Sequence, residues 1–249
     1  MKKNIKNQLI IVFVITLFVI VFFIKNTGSS CMNCLIDYSW YTFKKTENYT
    51  KGHMKEKPKY IVIHHSASNS IKDLKKIFED NNVSSHYFID NKGKLYNVIK
   101  DNCIAYHAGI SYWNGEYSLN NSSIGIEILN SSPFTKDISN KQYKTLINLI
   151  KKLKDKYNIE NHNIVSHSDI AYFNNLSDGQ YLNRKQDISY LFNWKKLAKN
   201  SVGIWYNEKN VNKKDFTVLY YFGDKKDELI DIKTKLKKIG YKIENINHG

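Results

Sequence analysis

Two short apolar segments of the chain have the patterns of buried β-strands. The segment Ser123–Leu129 (SIGIEIL) places its three isoleucines on one face and Gly125 and Glu127 on the other. The segment Lys59–His65 (KYIVIHH) is a compact run of β-branched residues that ends in two histidines. Both segments are predicted to lie in the interior of a sheet.

The rest of the pattern alternates between helices and strands. The clearest helix is predicted over Lys141–Tyr157, where apolar side chains recur at helical spacing and Ser139 and Gln142 have the spacing of a capping box. The other predicted elements are a helix over Ile71–Glu79, a hairpin over Ser85–Ile99 with its turn at Asn91–Gly93, a strand over Asn163–Ser166, a helix over Ile188–Asn200, a strand over Phe216–Tyr221, a helix over Asp227–Ile239 capped by Gly240, and a strand over Tyr241–Ile246. This alternation predicts an α/β fold with a small βαβ module at its C-terminal end.

The N-terminal region has a different pattern. Leu9–Ile24 contains no charged residue and follows three lysines, and at 1.5 Å per residue it would form a helix about 24 Å long. We expect a short membrane-spanning helix with the rest of the chain outside the cytoplasm. A cleaved signal peptide is the alternative, because Gly28 and Ser30 are small residues just before Cys31.

These patterns divide the chain into four predicted parts. They are an anchor or signal segment (residues 1–30), a spacer (31–57), an α/β domain (58–200) and the βαβ module (201–249). No internal repeat or low-complexity tract interrupts this order.

The composition favours a folded, basic protein. Of 249 residues, 42% are hydrophobic and only 2 are proline, which excludes a disordered or fibrous chain. The net charge of +15 favours a polyanionic partner, which could be a nucleic acid, an anionic membrane surface or an acidic cell-wall polymer. No helix-turn-helix, RNP or zinc-finger pattern accompanies the charge, so we expect no nucleic-acid binding.

The three cysteines are too few for a disulfide framework. Cys31 and Cys34 are expected to form a local disulfide or to remain free thiols. Packing, rather than cross-linking, is predicted to stabilise the fold.

Candidate chemistry lies where predicted strands end. His64 and His65 end the first strand, His167 follows the strand at 163–166, and His107 stands in the segment AYHAG. Two imidazoles and a carboxylate from separate strand ends can bind Zn²⁺ and leave one position open to water, as in catalytic zinc sites. Spacing along the chain does not by itself identify these ligands.

Six ordered segments carry a resemblance to a known family. The chain resembles the zinc-dependent N-acetylmuramoyl-L-alanine amidases of type 2, which are similar to peptidoglycan recognition protein domains and phage amidase lysozymes. The segments are IVIHHSA (61–67), SSHYFIDNKGKLYNVI (84–99), AYHAGISYW (105–113), NNSSIGIEIL (120–129), IVSHSDIA (164–171) and RKQD (184–187). The resemblance implies a mixed central sheet flanked by helices.

The resemblance also implies roles for individual residues. His64, His167 and Asp187 match the zinc ligands, Glu127 matches the acidic residue that activates water, and Lys185 matches the basic residue that stabilises the oxyanion. The implied reaction is hydrolysis of the amide between N-acetylmuramic acid and the L-alanine of the stem peptide. The implied partner is peptidoglycan or its muropeptides, bound by a monomer in the bacterial cell envelope.

His107 and Trp113 have no ligand role in the family pattern, and either substrate contact or packing is possible for them. His65 is expected to point away from His64, on the opposite face of its strand.

Two alternatives remain open from the sequence. The segment before Asp187 is about ten residues longer than is usual in the family, so Asp178 is a rival third ligand. The same departure leaves open a peptidoglycan-binding or sensing module without catalysis. A cytoplasmic wall-recycling amidase would have similar site residues, but the N-terminal apolar run disfavours it.

Overall fold

A computed structural model of the chain describes residues 34–36, 50, 52–68, 70–174, 181–183, 185–206 and 227–243. A five-stranded sheet lies at its centre. Its strands are β1 (Tyr60–Ser66), β2 (Tyr87–Ile89), β3 (Leu95–Asn97), β6 (Ser123–Leu129) and β7 (Ile164–Ser166). They are arranged in the order β3-β2-β6-β1-β7. Neighbouring strands are parallel except at the edge, where β3 runs antiparallel to β2. The predicted α/β fold with a mixed sheet is confirmed.

Two small hairpins and five helices complete the described elements. The hairpins pair β4 (Tyr112–Trp113) with β5 (Glu116–Tyr117), and β8 (Tyr172–Asn174) with β9 (Tyr181–Asn183). The helices are α1 (Ile71–Asp80), α2 (Asn140–Tyr157), α3 (His167–Ile170), α4 (Trp194–Ala198) and α5 (Asp227–Ile239), and 3-10 turns lie at Leu119–Asn121 and Asn161–Asn163. The predicted hairpin between β2 and β3 and the predicted capping box of α2 are both present.

The two faces of the central strands have different neighbours. The isoleucines of β1 and β6 pack in one apolar cluster with the buried face of α2, including Leu146 and Ile150. On the opposite face Val62 packs with Trp113, Leu119 and Ile170. His64 and Glu127 lie on this second face and are adjacent in the parallel register of β1 and β6. The alternation seen in the sequence therefore separates an apolar face from the face that carries the candidate chemistry.

The segment before Pro58 is not a simple spacer where the structure describes it. Leu35 forms a β-bridge with Ile99, and His53 forms one with Cys103. Cys34 and Cys103 are joined by a disulfide across 69 residues of chain, and both cysteines are fully buried. The predictions of a local Cys31–Cys34 bridge or free thiols, and of stabilisation by packing alone, are wrong. The sequence-based argument failed because it required a set of cysteine pairs, whereas one bridge here joins two distant segments.

The C-terminal half also departs from prediction. The helix predicted over Ile188–Asn200 is limited to α4, because Ile188 and Phe192 are buried in the α2 cluster and Asn193 caps the helix with its side chain. Helix α5 has the predicted bounds, but Tyr241 and the two residues after it are not a strand. The strand predicted over 216–221 lies outside the described residues.

The predicted membrane helix at Leu9–Ile24 likewise lies outside the described residues. Within the described ranges, no helix has the length and apolar character needed to cross a membrane.

Loss of the disulfide should destabilise the domain without changing its secondary structure. The disulfide closes a loop of 69 residues and so lowers the conformational entropy of the unfolded chain. In the chain-entropy treatment this stabilises the folded state by about 4 kcal/mol. We expect Cys34→Ser or reduction with dithiothreitol to lower the free energy of unfolding in urea by an amount of this order. Equal unfolding midpoints for the oxidised and reduced chains would contradict this expectation.

Candidate metal centre

Three side chains that are far apart in sequence meet where the parallel strands end. His64 comes from the end of β1, His167 begins α3 directly after β7, and Asp187 follows the β8–β9 hairpin. The carboxyl ends of adjacent parallel strands form one edge of a sheet, where sites are commonly built. The three residues predicted as ligands are therefore brought together by the strand order.

The three ligand atoms form a nearly equilateral triangle. Nδ1 of His64 lies 3.1 Å from Nδ1 of His167, and each of these nitrogens lies 3.2 Å from Oδ2 of Asp187. Tetrahedral zinc with ligand distances of about 2.1 Å separates its ligand atoms by roughly 3.4 Å. The size of the triangle fits such an ion.

The hydrogen bonds behind His167 determine which of its nitrogens carries the proton. Its Nε2 lies 3.3 Å from the carbonyl oxygen of Ala108, which can only accept. Nε2 must therefore be the N–H donor, and in the neutral ring Nδ1 presents a lone pair to the triangle.

A longer chain of hydrogen bonds assigns His64 in the same way. The hydroxyl of Ser123 donates to the carbonyl of Leu119, so its oxygen accepts from Nε2 of His107 at 3.3 Å. Nδ1 of His107 is then an acceptor for Nε2–H of His64, 3.1 Å away. His64 therefore also presents the lone pair of Nδ1 to the triangle.

The triangle thus brings together three acceptors with no proton between them. Two lone pairs and a carboxylate oxygen repel one another unless a cation lies among them. Burial lowers the pKa of His64 to about 4, which keeps its ring neutral and able to bind a metal.

Glu127 and Lys185 lie beside the triangle. Oε1 of Glu127 is 4.0 Å from Nδ1 of His64, too far to share the ligand position but close enough to reach a molecule bound there. Burial, reinforced by the negative charge of Asp187 and opposed by Lys185, raises the pKa of Glu127 to about 8. A bound cation would lower this pKa again, towards neutral pH.

These residues border a cavity of about 520 Å³. His64, His167 and Asp187 line it together with Glu127, Lys185 and His107. Its remaining wall is largely apolar and includes Phe78, Phe134 and Leu74. The cavity is large enough for part of a peptide or sugar chain beside the metal position.

The structure places the other candidate residues differently. Trp113 is 2% exposed, donates from its indole nitrogen to the carbonyl of His162, and does not line the cavity. It packs against Ile239 of α5 and Tyr241, in line with the packing alternative left open by the sequence. His65 packs edge-on against Phe134 and borders the same cavity, but it is not one of the three residues of the triangle. Asp178 lies outside the described residues.

The sequence-based argument missed two residues that support the site. Ser123 ends the hydrogen-bond chain from His64, and Gly125 makes room for His107: a Cβ on Gly125 would lie 2.5 Å from the His107 ring. A glycine between isoleucines in a buried strand was the available signal of this close approach.

The site can be compared with known proteins. The sequence profile described as N-acetylmuramoyl-L-alanine amidase matches residues 54–187. The chain is 32% identical over 168 residues to N-acetylmuramoyl-L-alanine amidase AmiD of Escherichia coli strain K12, a match that covers 62% of this chain and 57% of that protein. The chain thus spans a little over half the length of this curated relative.

Solved structures share the fold. AmiD from E. coli, in complex with the substrate anhydro-N-acetylmuramic acid-L-Ala-D-γ-Glu-L-Lys, aligns with a TM-score of 0.59 and 26% identity over 85% of this chain and 82% of that chain. AmpDh3 from Pseudomonas aeruginosa, in complex with anhydromuramic pentapeptide, aligns with a TM-score of 0.58 and 23% identity over 84% of this chain and 81% of that chain.

Substitution of Gly125 should disturb the candidate metal site by displacing His107, the hydrogen-bond partner of His64. A methyl group in Gly125→Ala would overlap the His107 ring and displace the partner of His64. Because loss of such a partner typically weakens metal binding by about 10- to 100-fold, we expect zinc affinity to fall in that range. Competition with a chromogenic chelator measures it, and Lys151→Ala, at an exposed position of α2, serves as a control. Wild-type affinity in Gly125→Ala would show that His107 does not support His64.

The metal-free chain should be most stable near pH 6.5. Burial lowers the pKa of His64, His86 and His107, so the unfolded chain binds more protons and stability declines as pH falls from about 6.5 towards 4. The pKa of Glu127 is raised from 4.5 to about 8, so the folded chain holds an extra proton throughout this interval. This partly offsets the histidine effect below pH 6.5, and above pH 6.5 it acts alone, so that stability declines as pH rises to about 8.

Urea unfolding in the presence of a chelator, between pH 5 and pH 8.5, tests both slopes. In Glu127→Gln the decline above pH 6.5 should disappear while the decline on the acid side remains. A stability that rises steadily from pH 6.5 to 8 in the wild-type chain would refute the raised pKa of Glu127.

Proposed function

This chain belongs to the N-acetylmuramoyl-L-alanine amidase family, and on that premise we propose that it is a zinc-dependent amidase acting on peptidoglycan. The bond cleaved is the amide between the lactyl group of N-acetylmuramic acid and the L-alanine of the stem peptide. The observation that carries the proposal is the convergence of three metal-binding acceptors, with Glu127 beside them, in a cavity open to solvent. The muropeptide complex of the E. coli relative, at 26% identity, supports the choice of substrate.

His64, His167 and Asp187 would hold the zinc ion, and the donor set of two imidazoles and one carboxylate leaves a coordination position for solvent. When bound, zinc supplies Lewis-acid polarisation of the scissile carbonyl and lowers the pKa of water towards about 7. His107 and the carbonyl of Ala108 fix the orientation of the two imidazoles before substrate arrives.

Glu127 is placed to move the proton. Its carboxylate lies on the cavity wall beside His64 and can accept a proton from the attacking water at Oε1 or Oε2. The protonated carboxyl can then deliver this proton to the departing amine of L-alanine. Burial makes the carboxylate a stronger base for the first step, and the charge of a bound metal would keep it ionised before that step.

Lys185 is placed to balance developing charge. It lines the same cavity and influences the pKa of both His64 and Glu127 electrostatically. A cation at this position would stabilise the negative oxygen of the tetrahedral transition state.

We also propose that the chain works in the cell envelope, outside the cytoplasm. The uncharged run Leu9–Ile24, preceded by three lysines, supports export and membrane attachment. The Cys34–Cys103 disulfide adds an independent argument, because such bonds persist in oxidising compartments outside the cytoplasm.

Removal of the Glu127 carboxylate should abolish hydrolysis but not metal binding. We expect Glu127→Gln to release stem peptides from purified peptidoglycan about 10²- to 10⁴-fold more slowly than the wild type, as quantified by mass spectrometry. Its zinc content should remain one ion per chain, since Glu127 is not a ligand. Glu160→Gln, a substitution of an exposed glutamate, serves as a matched control and should cleave at the wild-type rate.

A chelator should inhibit the wild-type enzyme reversibly, with recovery on addition of zinc. An active Glu127→Gln enzyme would refute the proton-transfer role. Binding of peptidoglycan without any released peptide, in the wild-type chain loaded with zinc, would refute the amidase proposal and favour a binding module.

A further inference from the structure

Tyr241, in the segment after α5, contacts Asp169, whose side chain is part of the capping box of α3. Helix α3 begins with the proposed metal ligand His167. The hydroxyl of Tyr241 donates to Oδ1 of Asp169 at 2.6 Å. Asp169 lies in α3, the single helical turn that begins with His167. Residues 54–187 match the family, so Tyr241 lies beyond the matched region.

Asp169 ties α3 to the end of β7 with its other oxygen. Oδ2 accepts from the backbone N–H of Ser166 at 2.8 Å and from the hydroxyl of Ser166 at 2.6 Å. The backbone N–H of Asp169 in turn donates to that hydroxyl oxygen at 3.2 Å, which completes the capping box. His167 lies between the two residues of this box, so the box sets the direction in which its ring leaves the sheet.

Tyr241 is itself held in place independently of its hydroxyl. Its ring packs edge-on against Trp113 with the ring centroids 4.8 Å apart. The carbonyl of Gly240 accepts from the backbone N–H of Asn114 at 2.8 Å. Gly240 has a φ of +135°, and a Cβ there would lie 2.6 Å from the indole of Trp113, so only glycine permits this approach.

We propose that Tyr241 is a positioning residue for the metal centre, acting on His167 through Asp169. The hydroxyl fixes the rotamer of the Asp169 carboxylate, which keeps both bonds to Ser166 and thereby orients the first residue of α3. The C-terminal segment is thus part of the metal centre's support, and its docking on Trp113 is what delivers the hydroxyl. This inference rests on the proposed zinc site but not on the reaction proposed there.

The test is the zinc affinity of Tyr241→Phe in the full chain, measured by competition with a chromogenic chelator. The phenyl ring retains the packing on Trp113, so the substitution removes only the bond to Asp169. We expect the zinc dissociation constant to rise about tenfold, at the lower end of the effect of losing a partner of a metal ligand. Tyr206→Phe, which removes the hydroxyl of an exposed tyrosine, should leave the constant unchanged.

Two further measurements separate positioning from general stability. First, zinc affinities are measured at a temperature well below the unfolding temperature of each metal-free variant. Nearly all of the protein is then folded, so a change in global stability does not alter the measured affinity. In an Asp169→Ala background, Tyr241→Phe should cause no further loss, because the tyrosine acts through the missing carboxylate. If Asp169→Ala does not fold, the comparison of Tyr241→Phe with Tyr206→Phe decides alone.

An unchanged zinc affinity in Tyr241→Phe, or an equal loss with and without Asp169, would overturn the inference. Both results would leave the proposed amidase reaction intact. Conversely, a chain that shows the expected zinc response but releases no stem peptide would refute the reaction and leave the positioning role of Tyr241 standing.

Discussion

Two imidazole lone pairs and a carboxylate oxygen meet within 3.2 Å of one another at one edge of the sheet, and no proton is available to separate them. The protons are elsewhere: His167 uses its N–H on the carbonyl of Ala108, and His64 uses its N–H on His107. Such an arrangement is unfavourable in a buried site unless a cation occupies its centre. The zinc proposal and the proton-transfer role of Glu127 both depend on this constraint.

Several features of the fold hold His64, His167 and Asp187 close together. Parallel pairing of β1 with β6 and β7 brings the three strand ends to one edge, with His64 beside Glu127 in register. Gly125 leaves the space that His107 needs to support His64. The β8–β9 hairpin lies between His167 and Asp187 in the chain, and the backbone N–H of Ser168 donates to the carbonyl of Asp187. A segment longer than is usual in the family therefore still returns its aspartate to the triangle.

Local patterns were sufficient to predict much of this fold. The period-two alternation of Ser123–Leu129 and the helical period of α2 are clear signals in the sequence because each element packs against the apolar core. The predicted bounds of both elements agree with the structure to within one residue. The site residues could be identified only through the resemblance to a family, because spacing along the chain does not show which strand ends are neighbours. Two long-range contacts were not predicted, because the Cys34–Cys103 bridge and the bond from Tyr241 to Asp169 join segments that no local pattern relates. The β4–β5 hairpin could have been found from Asn114-Gly115, since Asn-Gly is a strong signal of a two-residue turn.

The most direct test of the central claim is an anomalous-difference map, recorded on crystals of the protein at energies just above and just below the zinc absorption edge. The account predicts one strong peak, present only above the edge, bounded by Nδ1 of His64, Nδ1 of His167 and Oδ2 of Asp187. The absence of a peak at this position in zinc-supplied crystals, or a peak only at the cluster of Cys34, His53 and Cys103, would contradict it.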